Sequence, residues 1–129
     1  MDYQTFLEFQ LVTADYPGFE LITGNDAQVL TALIAGGAGG VIAMASVYPA
    51  LSKSIETLWR SGKLDEAREA QVKVMQLRSL VRRIMPIMAH KEILRLNGFD
   101  MGPARFPLRD LKDSERQEIR CTLEKLGLL

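Results

Sequence analysis

The residues best placed for chemistry are those that close two short apolar runs. Thr23, Gly24, Asn25 and Asp26 end or follow FELIT, and Ile42, Ala43, Met44 and Ala45 end GVIAMA. If both runs are parallel strands, their C-terminal ends and the loops after them are where an α/β barrel builds its active site. Gly24 would let the backbone approach a ligand closely, and exposed peptide groups beside it suit an oxygen-rich substrate.

Other candidates have simpler structural readings. The cluster Gly36, Gly37, Gly39 and Gly40 follows a predicted helix and leads into a predicted strand, the reverse of the order a phosphate-binding loop requires, so it reads as helix termination and tight turning. Lys73, Arg78, Arg82 and Arg83 lie on one long predicted helix without interleaved aromatics, which is the pattern of a solvated face. His90 is the only histidine and Cys121 the only cysteine, so neither an intramolecular disulfide nor a Cys/His zinc site is expected. His90 has no nucleophile or paired carboxylate beside it in sequence and reads as a surface residue.

The elements that must position these residues follow from periodicity. Asp2 to Ala14 is predicted helical, with Phe6, Phe9 and Val12 on one face, and Tyr16, Pro17 and Gly18 end it. Phe19 to Thr23 is a predicted strand. Asn25 or Asp26 can cap a helix carrying Val29, Leu30, Leu33 and Ile34, and Gly40 to Ala45 is a second predicted strand, apolar on both faces. Pro49 opens a helix with Leu51, Ile55 and Leu58 in its stripe, which stops at Gly62. Helices and strands that alternate in this way imply parallel pairing through crossovers.

Nothing β-like follows Lys63. A long amphipathic helix turns Ala67, Ala70, Val74, Leu77, Val81 and Ile84 inward up to Pro86; a helix from Ile87 to Leu96 follows, and a last helix begins near Asp113 or Ser114 with Ile119, Leu123 and Leu126 on one face. Two strands cannot make a viable sheet alone. The expectation is therefore that earlier strands are missing from the chain or supplied by a partner.

Composition sets the remaining bounds. Of 129 residues, 47% are apolar and 25% charged, an ordinary globular balance, and the formal net charge is zero, which argues against recruitment by nucleic acid or an anionic membrane. Every Lys and Arg lies from Lys53 onward, an asymmetry that separates a buried part from a solvated helical part. Ala27 to Ser52 carries no charge, so a membrane segment at 27–46 is an alternative, opposed by the glycines at its middle. The opening MDYQTFLEFQ lacks the basic start and apolar run of a signal peptide, and a cytoplasmic setting is expected.

The stretch FELITGNDAQVLTALIAGGAGGVIAMASVYP, followed by Trp59, Gly62, Glu66 and Ala67 and then by ARFPL at Ala104 to Leu108, resembles the C-terminal part of the dihydrodipicolinate synthase and N-acetylneuraminate lyase family. The resemblance implies the C-terminal portion of a (β/α)8 TIM barrel, with Phe19 to Thr23 as the seventh strand and Gly40 to Ala45 as the eighth. It divides the chain into barrel elements at 1–62 and a C-terminal helical subdomain at 63–129. It also implies a class I aldolase or lyase in which a lysine forms a Schiff base with pyruvate or another 2-keto acid, with no added cofactor or metal, in a homo-oligomer. Gly24 falls at the family's active-site glycine, and Ile42 at the eighth-strand position lining the keto-acid pocket.

The Schiff-base lysine and the proton-relay tyrosine have no match; neither Tyr3, Tyr16 nor Tyr48 answers to the latter. The expectation is a chain that begins a few residues after that lysine, is inactive alone, and needs a complementary N-terminal half. A non-catalytic helical module that binds a protein through its apolar strand faces is the alternative from another class.

Overall fold

The computed structural model describes residues 2–129, which form two compact units that divide between Met75 and Gln76. The division falls inside a helix, later than the 62/63 boundary expected from sequence. The buried Gln71 supplies the reason: its Nε2 donates to Asp26 O at 2.8 Å and its Oε1 accepts from Leu30 N at 2.9 Å, which ties the first turns of that helix to the first unit.

In the first unit α1 (Tyr3–Thr13) starts at Asp2, whose Oδ1 accepts from Thr5 N at 2.8 Å. Phe6 is buried, whereas Phe9 and Val12 on the same predicted face are exposed. Helical spacing gathers apolar residues on a face, but whether that face is covered depends on what packs there.

β1 (Ile22–Thr23) and β2 (Gly39–Gly40) pair in parallel, Ile22 opposite Gly39 and Thr23 opposite Gly40, with α2 (Val29–Ile34) as their crossover. The ladder extends on either side, because Ala38 N donates to Leu21 O and Val41 N to Thr23 O. Both ladders are shorter than the predicted strands. In the second, Ala43–Ser46 is a 3-10 turn rather than strand, and Met44 N donates to the carboxylate of Asp26 instead of to a neighbouring strand.

Gly36, with φ of 91°, ends α2 in a conformation only glycine adopts cheaply. Gly37 is required by close packing, since a Cβ there would stand 2.8 Å from Ala32 O and 2.8 Å from Phe6 Cζ. The region 27–46 thus breaks into two 3-10 turns, a six-residue helix and a strand. This overturns the membrane reading, and among the described residues no helix is long and apolar enough to cross a membrane.

α3 (Pro49–Arg60) begins with proline in its first turn and packs on α2 and on the second 3-10 turn, burying Ile55. α4 (Leu64–Ile84) carries Asp65 and Glu66 at its positive N-terminal end and Arg82 and Arg83 in its last turn, an arrangement that suits the helix dipole.

In the second unit α5 (Pro86–Leu96) packs against α6 (Asp113–Lys125), with Ile93, Ile119 and Leu123 fully buried. The irregular segment between them is held by Lys91, whose ammonium donates to the carbonyl oxygens of Met101, Gly102 and Pro103.

Candidate functional site

The C-terminal ends of β1 and β2 lie side by side, because Thr23 O accepts from Val41 N at 2.9 Å. Gly24 therefore follows β1 at the same edge where Val41 follows β2. Gly24 is exposed, and a Cβ built on it would meet nothing within 4 Å, so the space beside this peptide is open. Asn25 and Asp26 shape the turn behind it. Asn25 Oδ1 accepts from Ala27 N at 3.1 Å, and Asp26 Oδ1 accepts from Met44 N at 2.8 Å. Sequence offered these two residues as alternative caps of the helix that follows. The structure has Asn25 cap the 3-10 turn Asp26–Gln28 instead, leaves α2 to start at Gln28 without a side-chain cap, and makes Asp26 the link between the two strand-end turns.

The two faces of the ladder differ. Side chains alternate along a strand, and Thr23 is 4% exposed while its neighbour Ile22 is 53% exposed. Gly40 sits on the Thr23 face, since a Cβ there would meet Thr23 Cγ2 at 3.1 Å and Ile42 Cγ2 at 3.5 Å. Ile42 shares that face and borders a cavity whose other walls include Val29 and Leu33 of α2 and Pro49 and Ser52 of α3. Val41, 72% exposed, points the other way with Ile22. Alternation thus separates Ile42 from the open face, which the adjacent Val41 shares with Ile22. A one-residue slip across the glycine-rich turn reverses every side chain after it.

The remaining candidates occupy structural positions. Gly39 and Gly40 belong to β2, and the glycine cluster opens no helix. Lys73, Arg82 and Arg83 are exposed, and Arg83 pairs with Glu118. His90 Nδ1 lies 2.5 Å from Pro86 O, a carbonyl that only accepts, so Nδ1 carries the proton. Cys121 Sγ accepts from Gln117 Nε2. Among the described residues no group of three His, Cys, Asp or Glu side chains is arranged to hold a metal ion.

The second unit carries a charged cluster that sequence did not single out. Glu92 is 3% exposed and accepts from Arg95 at 2.6 and 2.9 Å and from Arg116 at 2.5 Å. The Arg95 bond, reinforced by the charges of Arg95 and Arg116, holds the Glu92 carboxyl below its ordinary range despite burial. Glu115 is also lowered, to about 2, by Arg109 and by the Lys112 N–H. Both carboxylates are fully engaged in joining elements, as expected of structural ion pairs.

The chain matches the model of the dihydrodipicolinate synthetase family over residues 5–126. It is 33% identical over 112 residues to a 4-hydroxy-tetrahydrodipicolinate synthase of Thermoanaerobacter sp. (strain X514), a match covering 86% of this chain and 37% of that protein. It is 35% identical over 114 residues to an uncharacterised DapA-like lyase of Halobacterium salinarum, covering 88% of this chain and 38% of that one.

Among solved structures, dihydrodipicolinate synthase from Thermotoga maritima superposes with a TM-score of 0.86 at 27% identity, over 99% of this chain and 44% of that one. N-acetylneuraminate lyase from Fusobacterium nucleatum, complexed with pyruvate, gives a TM-score of 0.84 at 22% identity, over 96% of this chain and 41% of that one, and shares the fold. The chain belongs to the dihydrodipicolinate synthetase family, a family of aldolases and lyases. It spans about two fifths of the length of the relatives it matches.

Proposed function

We propose that residues 1–129 form the last two strand-and-helix units of a (β/α)8 barrel, with β1 and β2 as its seventh and eighth strands, together with the C-terminal helical subdomain of a Schiff-base lyase acting on pyruvate or another 2-keto acid. The observation that carries this reading is the two-faced ladder. Thr23 is covered by helices while Ile22 and Val41 stand open, which is the state of two barrel staves whose inner face awaits the other strands. The pyruvate bound in the N-acetylneuraminate lyase of similar fold supports the substrate class.

In this reading Gly24 lines the keto-acid site at the end of the seventh strand, and its open space accommodates the substrate. Val41, rather than Ile42, lines it from the eighth, since Ile42 faces the helix layer. The Schiff-base amine comes from polypeptide outside residues 1–129. A lysine becomes nucleophilic when a dry pocket lowers its pKa, and Lys53, the first in this sequence, is exposed and paired with Glu56. The working enzyme is a cytoplasmic oligomer, or a complex with a complementary N-terminal half.

Borohydride reduction in the presence of pyruvate, followed by intact-mass measurement, tests this. The 129-residue chain alone should gain no adduct, and mixing with the N-terminal strands of a relative should restore adduct formation and lyase turnover. An adduct on the lone chain, or no gain on mixing, would overturn the assignment.

A further inference from the structure

Thr23 is the last residue of β1, and its side chain turns to the helix-covered face, where it is 4% exposed. Valine would suit such a position as well, since it has the same branched shape and no polar atom to bury. A buried hydroxyl needs a hydrogen-bond partner, and Thr23 Oγ1 accepts the backbone N–H of Asn25 at 3.2 Å.

The peptide group held in this way is the one that joins Gly24 to Asn25. It is trans, because the cis bond among the described residues is Phe106–Pro107, and in a trans peptide the carbonyl points opposite to the N–H. The Asn25 N–H turns to the hydroxyl on the covered side, so the Gly24 carbonyl turns away from that side. Glycine restrains the peptide after it less than any other residue does. The neighbouring bonds act one residue further off on each side, from Val41 N to Thr23 O and from Ala27 N to Asn25 Oδ1. The Thr23 hydroxyl is thus the group that sets the plane of this peptide.

We propose, on the reading of Gly24 given above, that Thr23 is a positioning residue of the keto-acid site. Its hydroxyl does not touch the ligand; it fixes the Gly24 peptide beside which the keto acid lies. Loss of the acceptor frees that peptide to rotate, and part of the binding free energy is then spent on ordering it.

The material for the test is the lyase assembled from residues 1–129 and the N-terminal strands of a relative, with borohydride trapping of pyruvate as the readout. The trapping rate measured against pyruvate concentration gives a half-saturating concentration and a maximal rate. Thr23→Val removes the acceptor and should raise the half-saturating concentration about fivefold, the equivalent of one ordinary hydrogen bond, with the maximal rate little changed. Thr23→Ser restores the hydroxyl and should return the original value. Thr23→Ala also lacks the acceptor and should match Thr23→Val, which decides the matter if the valine variant does not assemble. A threonine needed only for folding would lower the yield of assembled enzyme and leave the half-saturating concentration unchanged in what remains. That result, or a raised value that Thr23→Ser fails to restore, would overturn the role of Thr23 alone. No adduct in the unsubstituted assembly would instead overturn the keto-acid reading, and this role with it.

Discussion

The carboxylate of Asp26 accepts the backbone N–H of Met44 at 2.8 Å, so the turn after the first strand and the turn after the second are fastened by one charge-assisted bond. Without it the Met44 amide, in a buried residue, would lose its acceptor. Asp26→Ala should destabilise the chain by about 1–3 kcal/mol, and Asp26→Asn, which keeps an oxygen there, by less. Urea midpoints of the two variants check this; a midpoint for Asp26→Ala equal to that of the unsubstituted chain would show that the bond contributes nothing.

Gln71 answers two backbone groups at once, Asp26 O and Leu30 N, from a position 7% exposed. Leucine at this position preserves the volume and orphans both groups, so Gln71→Leu should cost about 2 kcal/mol or more. Amide exchange at Leu30 should speed up with it. Unchanged protection of that amide would refute the role given to Gln71.

Three glycines of the cluster should respond differently to alanine. Gly37→Ala drives a Cβ against the Ala32 carbonyl and Phe6 and should lower stability by roughly 1–3 kcal/mol, whereas Gly39→Ala meets nothing within 4 Å and should be nearly neutral. Gly36→Ala, at φ of 91°, should cost about 1 kcal/mol through backbone strain. Thermal melts rank the three, and a neutral Gly37→Ala would contradict the packing described for α2.

Acid should loosen the second unit in a defined window. The carboxyl of Glu115 falls from its ordinary 4.5 to about 2 in the folded chain, so its stabilisation is complete above pH 4.5 and disappears as the pH drops towards 2. Glu92 is shifted in the same direction by Arg95 and Arg116 and adds to the loss. Urea midpoints between pH 6 and pH 2 should decline, and Glu115→Gln should flatten the decline below pH 4.5. Identical pH dependence in the variant would remove Glu115 from this account.

Much of this architecture was legible in the residues. Periodicity of 3.6 located the long helices, because an amphipathic stripe such as Ala67, Val74, Leu77 and Val81 is a local property of spacing and all four are buried. Family membership, too, followed from FELITGNDAQ and the glycine-rich run after it, and the match over residues 5–126 agrees. Strand lengths were harder to read, since GVIAMA is equally apolar whether extended or turned, and Asp26 drew Met44 out of the ladder.

By itself, then, the sequence determined which segments are helical, where glycine and proline punctuate them, and which family the chain joins; these depend on near neighbours in the chain. Only the tertiary structure decided which side of β2 is open, assigning Val41 to one face and Ile42 to the other, and which polar groups meet, as in Asp26 with Met44 and Glu92 with Arg116. The physical reason is range. Strand register and ion pairing are fixed by contacts between residues far apart in the chain, and a shift of one position, invisible in composition or periodicity, exchanges the two faces.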